Sequence, residues 1–81
     1  MEIKVLGSGC PKCKQLFINA QEAIKVLGGN IELKYITDMQ EIVSSGIMST
    51  PALMINDKVV SMGRINSVND IIELVKQNTK Q

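Results

Sequence analysis

Thr37-Asp38-Met39-Gln40-Glu41-Ile42-Val43-Ser44-Ser45-Gly46 decides how the strands on either side of it are connected. Asp38 or Thr37 offers a side-chain oxygen to the unpaired N–H groups of a first helical turn, and Glu41 follows Asp38 by three residues. Ile42 and Val43 face inward, and Gly46 stops the run. The stretch therefore reads as a short helix, Asp38 to Ser45. A helix here keeps the strand before it from forming a tight hairpin with the strand after it.

Upstream, Ile31, Leu33 and Tyr35 alternate as a strand. Gly28-Gly29-Asn30 before them ends a longer helix. Its apolar positions, Cys13, Leu16, Phe17, Ala20, Ile24 and Leu27, fall on one face in steps of three and four. Pro11 suits the first turn of that helix, because its φ is already helical and its missing N–H would have had no partner there. Gly7-Ser8-Gly9 breaks a first strand over residues 2–6, with Ile3 and Val5 on one face.

Downstream, Ala52-Leu53-Met54-Ile55 is a continuous apolar run suited to a strand buried on both faces. Asn56-Asp57 makes a tight turn into Lys58-Val59-Val60-Ser61-Met62, and Gly63 ends that strand. Ser67 caps a last helix with Asp70 three residues on, and Val68, Ile71, Ile72 and Val75 form its apolar stripe. The order is β-α-β-α-β-β-α. The first β-α-β unit predicts parallel pairing with a right-handed crossover. The hairpin adds an antiparallel half, giving an α/β fold with a mixed four-stranded sheet and helices on both faces.

The 81 residues predict one domain, 1–81, with no linker, repeat or low-complexity segment. Phe17 and Tyr35 are the only aromatic residues, so the core is mostly aliphatic. A net charge of +1 with no run of like charges points to neither nucleic acid nor an anionic membrane as partner. No stretch approaches the ~18–20 apolar residues of a membrane span, and Met1–Leu6 lacks the apolar region of a secretory signal. The expected location is the cytoplasm. There a Cys-x-x-Cys pair is more often catalytic or metal-binding than a permanent bridge.

Gly7-Ser8-Gly9-Cys10-Pro11-Lys12-Cys13 holds both cysteines. Metal capture, a structural staple and redox exchange all use this spacing. Zinc needs four ligands, and the chain has two thiols and no histidine. Copper(I) accepts two soft thiolates, and small copper-carrying domains resemble the start of this chain. They run β-α-β-β-α-β and end on a strand, however, whereas here a helix separates strands two and three and another ends the chain. A static Cys10–Cys13 disulfide closes too small a loop to add much stability. Two inert buried thiols suit Cys13, which lies on the apolar stripe, better than Cys10.

Redox exchange uses that inequality. Cys10, at the helix N-terminus, faces free N–H groups and the positive end of the helix dipole, which favour its thiolate. Lys12 and Lys14 add a minor positive potential. Cys13, one turn inward, is more shielded, and it is spaced to attack a mixed disulfide on Cys10.

Cys10-Pro11-Lys12-Cys13 after the first strand, with Ser49-Thr50-Pro51-Ala52-Leu53 opening the third, resembles the thioredoxin and glutaredoxin superfamily. Within it, Gly-x-Gly-Cys-Pro-x-Cys, Met48-Ser49-Thr50-Pro51-Ala52-Leu53 and Gly63-Arg64 are most similar to the small redox-active disulfide proteins of archaea and bacteria. The resemblance covers essentially the whole chain and implies a minimal thioredoxin-like fold.

It also implies a thiol–disulfide oxidoreductase, with Cys10 attacking and Cys13 resolving. Thr50-Pro51 would be a cis bond beside Cys10, where the Thr50 backbone could pair with an extended substrate. Pro11, Lys12, Thr50, Pro51 and Gly63 are the implied substrate-side residues. No cofactor is implied beyond the Cys10–Cys13 disulfide. The implied partners are disulfide-containing proteins and a separate reductase of the thioredoxin-reductase type.

Three departures stand out. Gly9 replaces the tryptophan that precedes the first cysteine in ordinary thioredoxins. Lys4 falls where those proteins keep a buried acid, and is expected either to point to solvent or to be partly buried with a lowered pKa. Gly63-Arg64-Ile65-Asn66 replaces the glutaredoxin glycine pair and acidic pair, so glutathione is not the expected substrate. Met48 is a candidate substrate contact, while Met39, Met54 and Met62 read as core or loop filler. Arg64 reads as a solvated surface residue and Tyr35 as packing.

Overall fold

The computed structural model describes residues 1–79. Seven elements follow in the order β1 (Glu2–Leu6), α1 (Pro11–Leu27), β2 (Glu32–Ile36), α2 (Met39–Ser44), β3 (Ala52–Ile55), β4 (Lys58–Met62) and α3 (Val68–Thr79). The sheet order is β2-β1-β3-β4, with β1 and β2 parallel and the other two pairings antiparallel. The architecture is the mixed four-stranded α/β arrangement that the element order predicts.

The period-two alternation of the strands divides the interior into two layers. Ile3 and Val5 of β1 and Leu53 and Ile55 of β3 point to one face, where Leu16, Ala20 and Ala23 of α1 and Ile71 and Val75 of α3 cover them. Alanines at 20 and 23 let α1 approach closely, while Ile24 and Leu27 are only partly buried at its margin. Leu6, Ala52 and Met54 point to the other face, under Ile42 of α2 and Ile47. Each face therefore consumes alternate residues of the same strands, and β3 is buried along its whole length.

Six residues of α2 cannot cover a whole sheet face. Asp38 is its cap, accepting a hydrogen bond from the Gln40 N–H at 3.0 Å. Ile42 is buried, but Val43 is 66% exposed, which corrects the expectation that both face inward. One short helix has room for a single inward stripe. Met39 lies exposed one turn before Val43, and Met62 is exposed at the end of β4, so of the methionines read as filler only Met54 belongs to the core.

Beyond the reach of α2, the same face carries charge. The Lys34 ammonium lies 2.9 Å from the Glu2 carboxylate, and Lys4 lies 3.2 Å from Asp57 and 3.6 Å from Glu2. Lys4 neither points freely to solvent nor has a lowered pKa. Its side chain is 19% exposed, and the hydrogen bond to Asp57 raises its pKa against the opposing effect of burial.

Asn56 and Asp57 turn the β3–β4 hairpin with φ of 50° and 66°, a left-handed region these two residue types tolerate. The Asn56 side chain accepts the Glu2 N–H at 2.9 Å, tying the turn to the start of β1. At α3, Ser67 Oγ accepts the Asp70 N–H at 3.1 Å and the Asp70 carboxylate accepts the Ser67 N–H at 3.4 Å, a reciprocal cap. Replacing Ser67 with alanine is expected to lower stability by about 1 kcal/mol, read as a lower urea midpoint at unchanged m-value.

Candidate dithiol site

Three chain reversals meet at the C-terminal end of β1. There the Gly7 N–H continues the ladder to β2, donating to the Ile36 carbonyl at 3.0 Å. Gly7 is buried, and a Cβ placed on it would overlap Cys13 Sγ, lie 3.0 Å from Cys13 Cβ and approach Pro51 Cα to 3.9 Å. A hydrogen atom at this position is what lets α1 and the Pro51 loop close on the end of the sheet. In sequence Gly7 reads as a strand breaker; its role in the structure is space rather than backbone conformation, and the only local signal of that is glycine directly at the strand end before the cysteine loop.

Cys10 is the N-cap of α1, with extended backbone (φ −68°, ψ 166°), and its carbonyl accepts the Lys14 N–H at 3.0 Å. Its thiol is partly exposed, whereas Cys13 is completely buried. Both are free thiols, with the sulfurs 2.8 Å apart.

The environment splits their acidities in opposite directions. The hydrogen bond from Cys13, followed by the backbone N–H groups of the first helical turn, lowers the Cys10 pKa. Burial, then the hydrogen bond spent on Cys10, raises that of Cys13. The first proton to leave the pair therefore leaves Cys10, and the thiolate sits on the accessible sulfur. Alkylation of Cys10 by iodoacetamide is expected to persist below the ordinary thiol range, around pH 8.5. It should fall only as pH drops through the lowered Cys10 value, as followed by mass spectrometry of quenched samples.

Pro51 is buried beside Gly7, and the Thr50–Pro51 peptide is cis. The Pro51 carbonyl accepts the Gly63 N–H at 2.8 Å. Gly63 has φ 70°, and a Cβ there would press on Ser49 Cβ at 3.1 Å, so glycine answers both the turn and the approach. The structure thus brings Cys10, Cys13, Pro51 and Gly63 to one end of the sheet. Pro11, Lys12 and Thr50 are exposed around them, and Met48 is 92% exposed on the loop that leads into Pro51. Arg64 is exposed and opens instead on a hollow of about 260 Å³ beside α3, lined by neither cysteine. Among the described residues no three Cys, Asp or Glu side chains converge as a metal-ligand group, and no helix is long and apolar enough to cross a membrane.

A sheet ordered β2-β1-β3-β4, a Cys-x-x-Cys pair opening α1 and a proline loop beside it define a thioredoxin-like dithiol protein. The family described as thioredoxin domain matches residues 1–76, and the chain belongs to that family. It is 38% identical over 74 residues to a thioredoxin of Methanocaldococcus jannaschii, covering 91% of this chain and 85% of the relative. It is 35% identical over 75 residues to a thioredoxin of Methanothermobacter thermautotrophicus, covering 93% and 97%. A solved structure described as that of a malarial protein has the same fold, with a TM-score of 0.73 over 98% of this chain and 97% of that one, at 19% identity.

Proposed function

We propose that this protein reduces disulfide bonds in other proteins through Cys10 and Cys13. The observation that carries the reading is their inequality: an accessible cap thiol of lowered pKa lies 2.8 Å from a buried thiol of raised pKa. The names of the archaeal relatives support it. The Cys10 thiolate attacks one sulfur of a substrate disulfide, and the other sulfur leaves as a thiolate that takes up a proton. Cys13 then loses its proton and attacks Cys10 Sγ. The Cys10–Cys13 disulfide forms and the second substrate sulfur departs as a thiol. Two electrons and two protons have passed to the substrate.

The oxidised pair is recharged by a separate reductase of the thioredoxin-reductase type, with no cofactor besides the disulfide itself, in the cytoplasm. An extended substrate segment lies along Thr50 and Pro51, flanked by Pro11, Lys12, Gly63 and the exposed Met48. Dithiothreitol-dependent reduction of insulin tests the reading, with Cu(I) titration run in parallel. Turnover without tight copper retention supports it. Stoichiometric Cu(I) retention without exchange would overturn it in favour of a copper carrier.

A further inference from the structure

The sheet order leaves two open edges, β2 and β4, and they are built differently. The β3–β4 register shifts between Leu53 and Met54, an irregularity that twists an edge away from further pairing. β2 has no such interruption. Glu32 to Ile36 run in unbroken register with Glu2 to Leu6, and no proline falls among them. The Glu32 N–H donates to the Met1 carbonyl, and the Ile36 carbonyl accepts the Gly7 N–H, both at 3.0 Å. Along a strand, residues bonded to one neighbour alternate with residues whose N–H and C=O point the other way. Glu32, Lys34 and Ile36 therefore bond to β1, and the backbone groups of Leu33 and Tyr35 point out of the open edge. Among the described residues no other strand pairs with them.

The charges along β2 suit a copy of this chain better than the strand beside it. Within the sheet like stands by like, with Glu32 opposite Glu2 and Lys34 opposite Lys4. The diagonal Lys34–Glu2 pair at 2.9 Å relieves part of this, and leaves Glu32 with no ion pair among the described residues. Glu32 and Lys34 are both exposed. A second β2 laid antiparallel about a two-fold axis at Leu33 sets the two Leu33 residues opposite each other, so that their outward groups bond. Ile31 then meets Tyr35 of the copy. Glu32 meets Lys34 of the copy, twice by symmetry, in the closer, non-hydrogen-bonded pairs of the ladder. An axis at Lys34 would instead set that lysine against its own copy. The charges thus select the register.

We propose that β2 is a self-association edge, through which two copies of this chain pair antiparallel about Leu33 into one continuous sheet. On the helix side the join is apolar, because Ile31, Leu33 and Tyr35 are only partly buried in the single chain. On the other side it carries the crossed Glu32–Lys34 pairs. Each dithiol follows the C-terminal end of its own β1, so the two sites lie at opposite ends of the joined sheet and neither is covered. Self-association does not depend on the exchange chemistry.

Sedimentation equilibrium with both cysteines kept reduced tests this. Mass is expected to rise from 8.9 kDa toward twice that value as concentration climbs from micromolar to millimolar. Over the same range, amide hydrogen exchange at Leu33 and Tyr35 should slow. Glu32→Lys places like charges at both crossed pairs and is expected to weaken the dimer about tenfold. It also ends the repulsion with Glu2, so the fold survives it. Lys34→Glu is expected to weaken the dimer likewise, while gaining Lys4 as an opposite neighbour. Mixing the two variants restores opposite charges at both pairs, and native mass spectrometry should show dimers with one chain of each. A parent chain that stays at 8.9 kDa at millimolar concentration would overturn the proposal. So would a dimer that Glu32→Lys leaves at full strength.

Discussion

Cys10→Ser is expected to reduce insulin reduction to the uncatalysed background, whereas Cys13→Ala is expected to stop after half a reaction. The two sulfurs are 2.8 Å apart, yet only Cys10 combines access with a lowered pKa. A hydroxyl at position 10 is far too weakly acidic to supply the attacking anion. The partly exposed site also tolerates it, so lost activity there is not lost fold. Cys13→Ala removes a buried sulfur at the cost of a small cavity. Its Cys10 still attacks, and the mixed disulfide should accumulate one-to-one with substrate in the intact mass spectrum. Recovery of exchange in Cys10→Ser, or a Cys13→Ala protein that turns over freely without a mixed disulfide, would reverse the assigned roles.

These assignments depend on features that differ in how far local sequence could reveal them. The element order is punctuated locally. Gly7-Ser8-Gly9 with Pro11, Gly28-Gly29-Asn30, Asn56-Asp57 and the Ser67–Asp70 pair each carry their own stereochemical reason, and each coincides with an element boundary in the structure. The burial of Cys13 was legible in the same way, since helical spacing puts it in line with Leu16 and Ala20.

What local pattern cannot give is how far a covering element extends. Val43 is as apolar as Ile42, and only the six-residue length of α2 against a four-stranded sheet leaves it outside. Nor can it give partners distant in sequence. Lys4 meets Asp57 because the hairpin turn returns to the start of β1. Tyr35 reads as a packing residue and packs against the core, but its stack on Phe17 joins two residues far apart in sequence.

Gly7→Ala is expected to destabilise the fold by about 1–3 kcal/mol, the usual range for overpacking a filled interior, and to uncouple the two thiols. The new methyl would overlap Cys13 Sγ, and the surroundings offer it no retreat. Gly7 is held on one side by its 3.0 Å hydrogen bond to the Ile36 carbonyl. Pro51 Cα would lie 3.9 Å from the new methyl on another side, and Cys13 sits in the first turns of the 17-residue α1. Relief therefore comes from turning the Cys13 side chain or tilting the start of α1, and either change lengthens the 2.8 Å separation of the sulfurs.

Attack by Cys10 should then survive while resolution slows, so that the mixed disulfide outlives that of the unmodified protein under identical conditions. A double-mutant cycle separates this contact from any general weakening of the strand end. Cys13→Ala removes the sulfur that the methyl strikes, so Gly7→Ala should cost less stability in that background than in the parent. The expected coupling is 0.5 kcal/mol or more, roughly the lower bound for residues in direct contact. Strict additivity in urea denaturation would show that Gly7 does not set the position of Cys13.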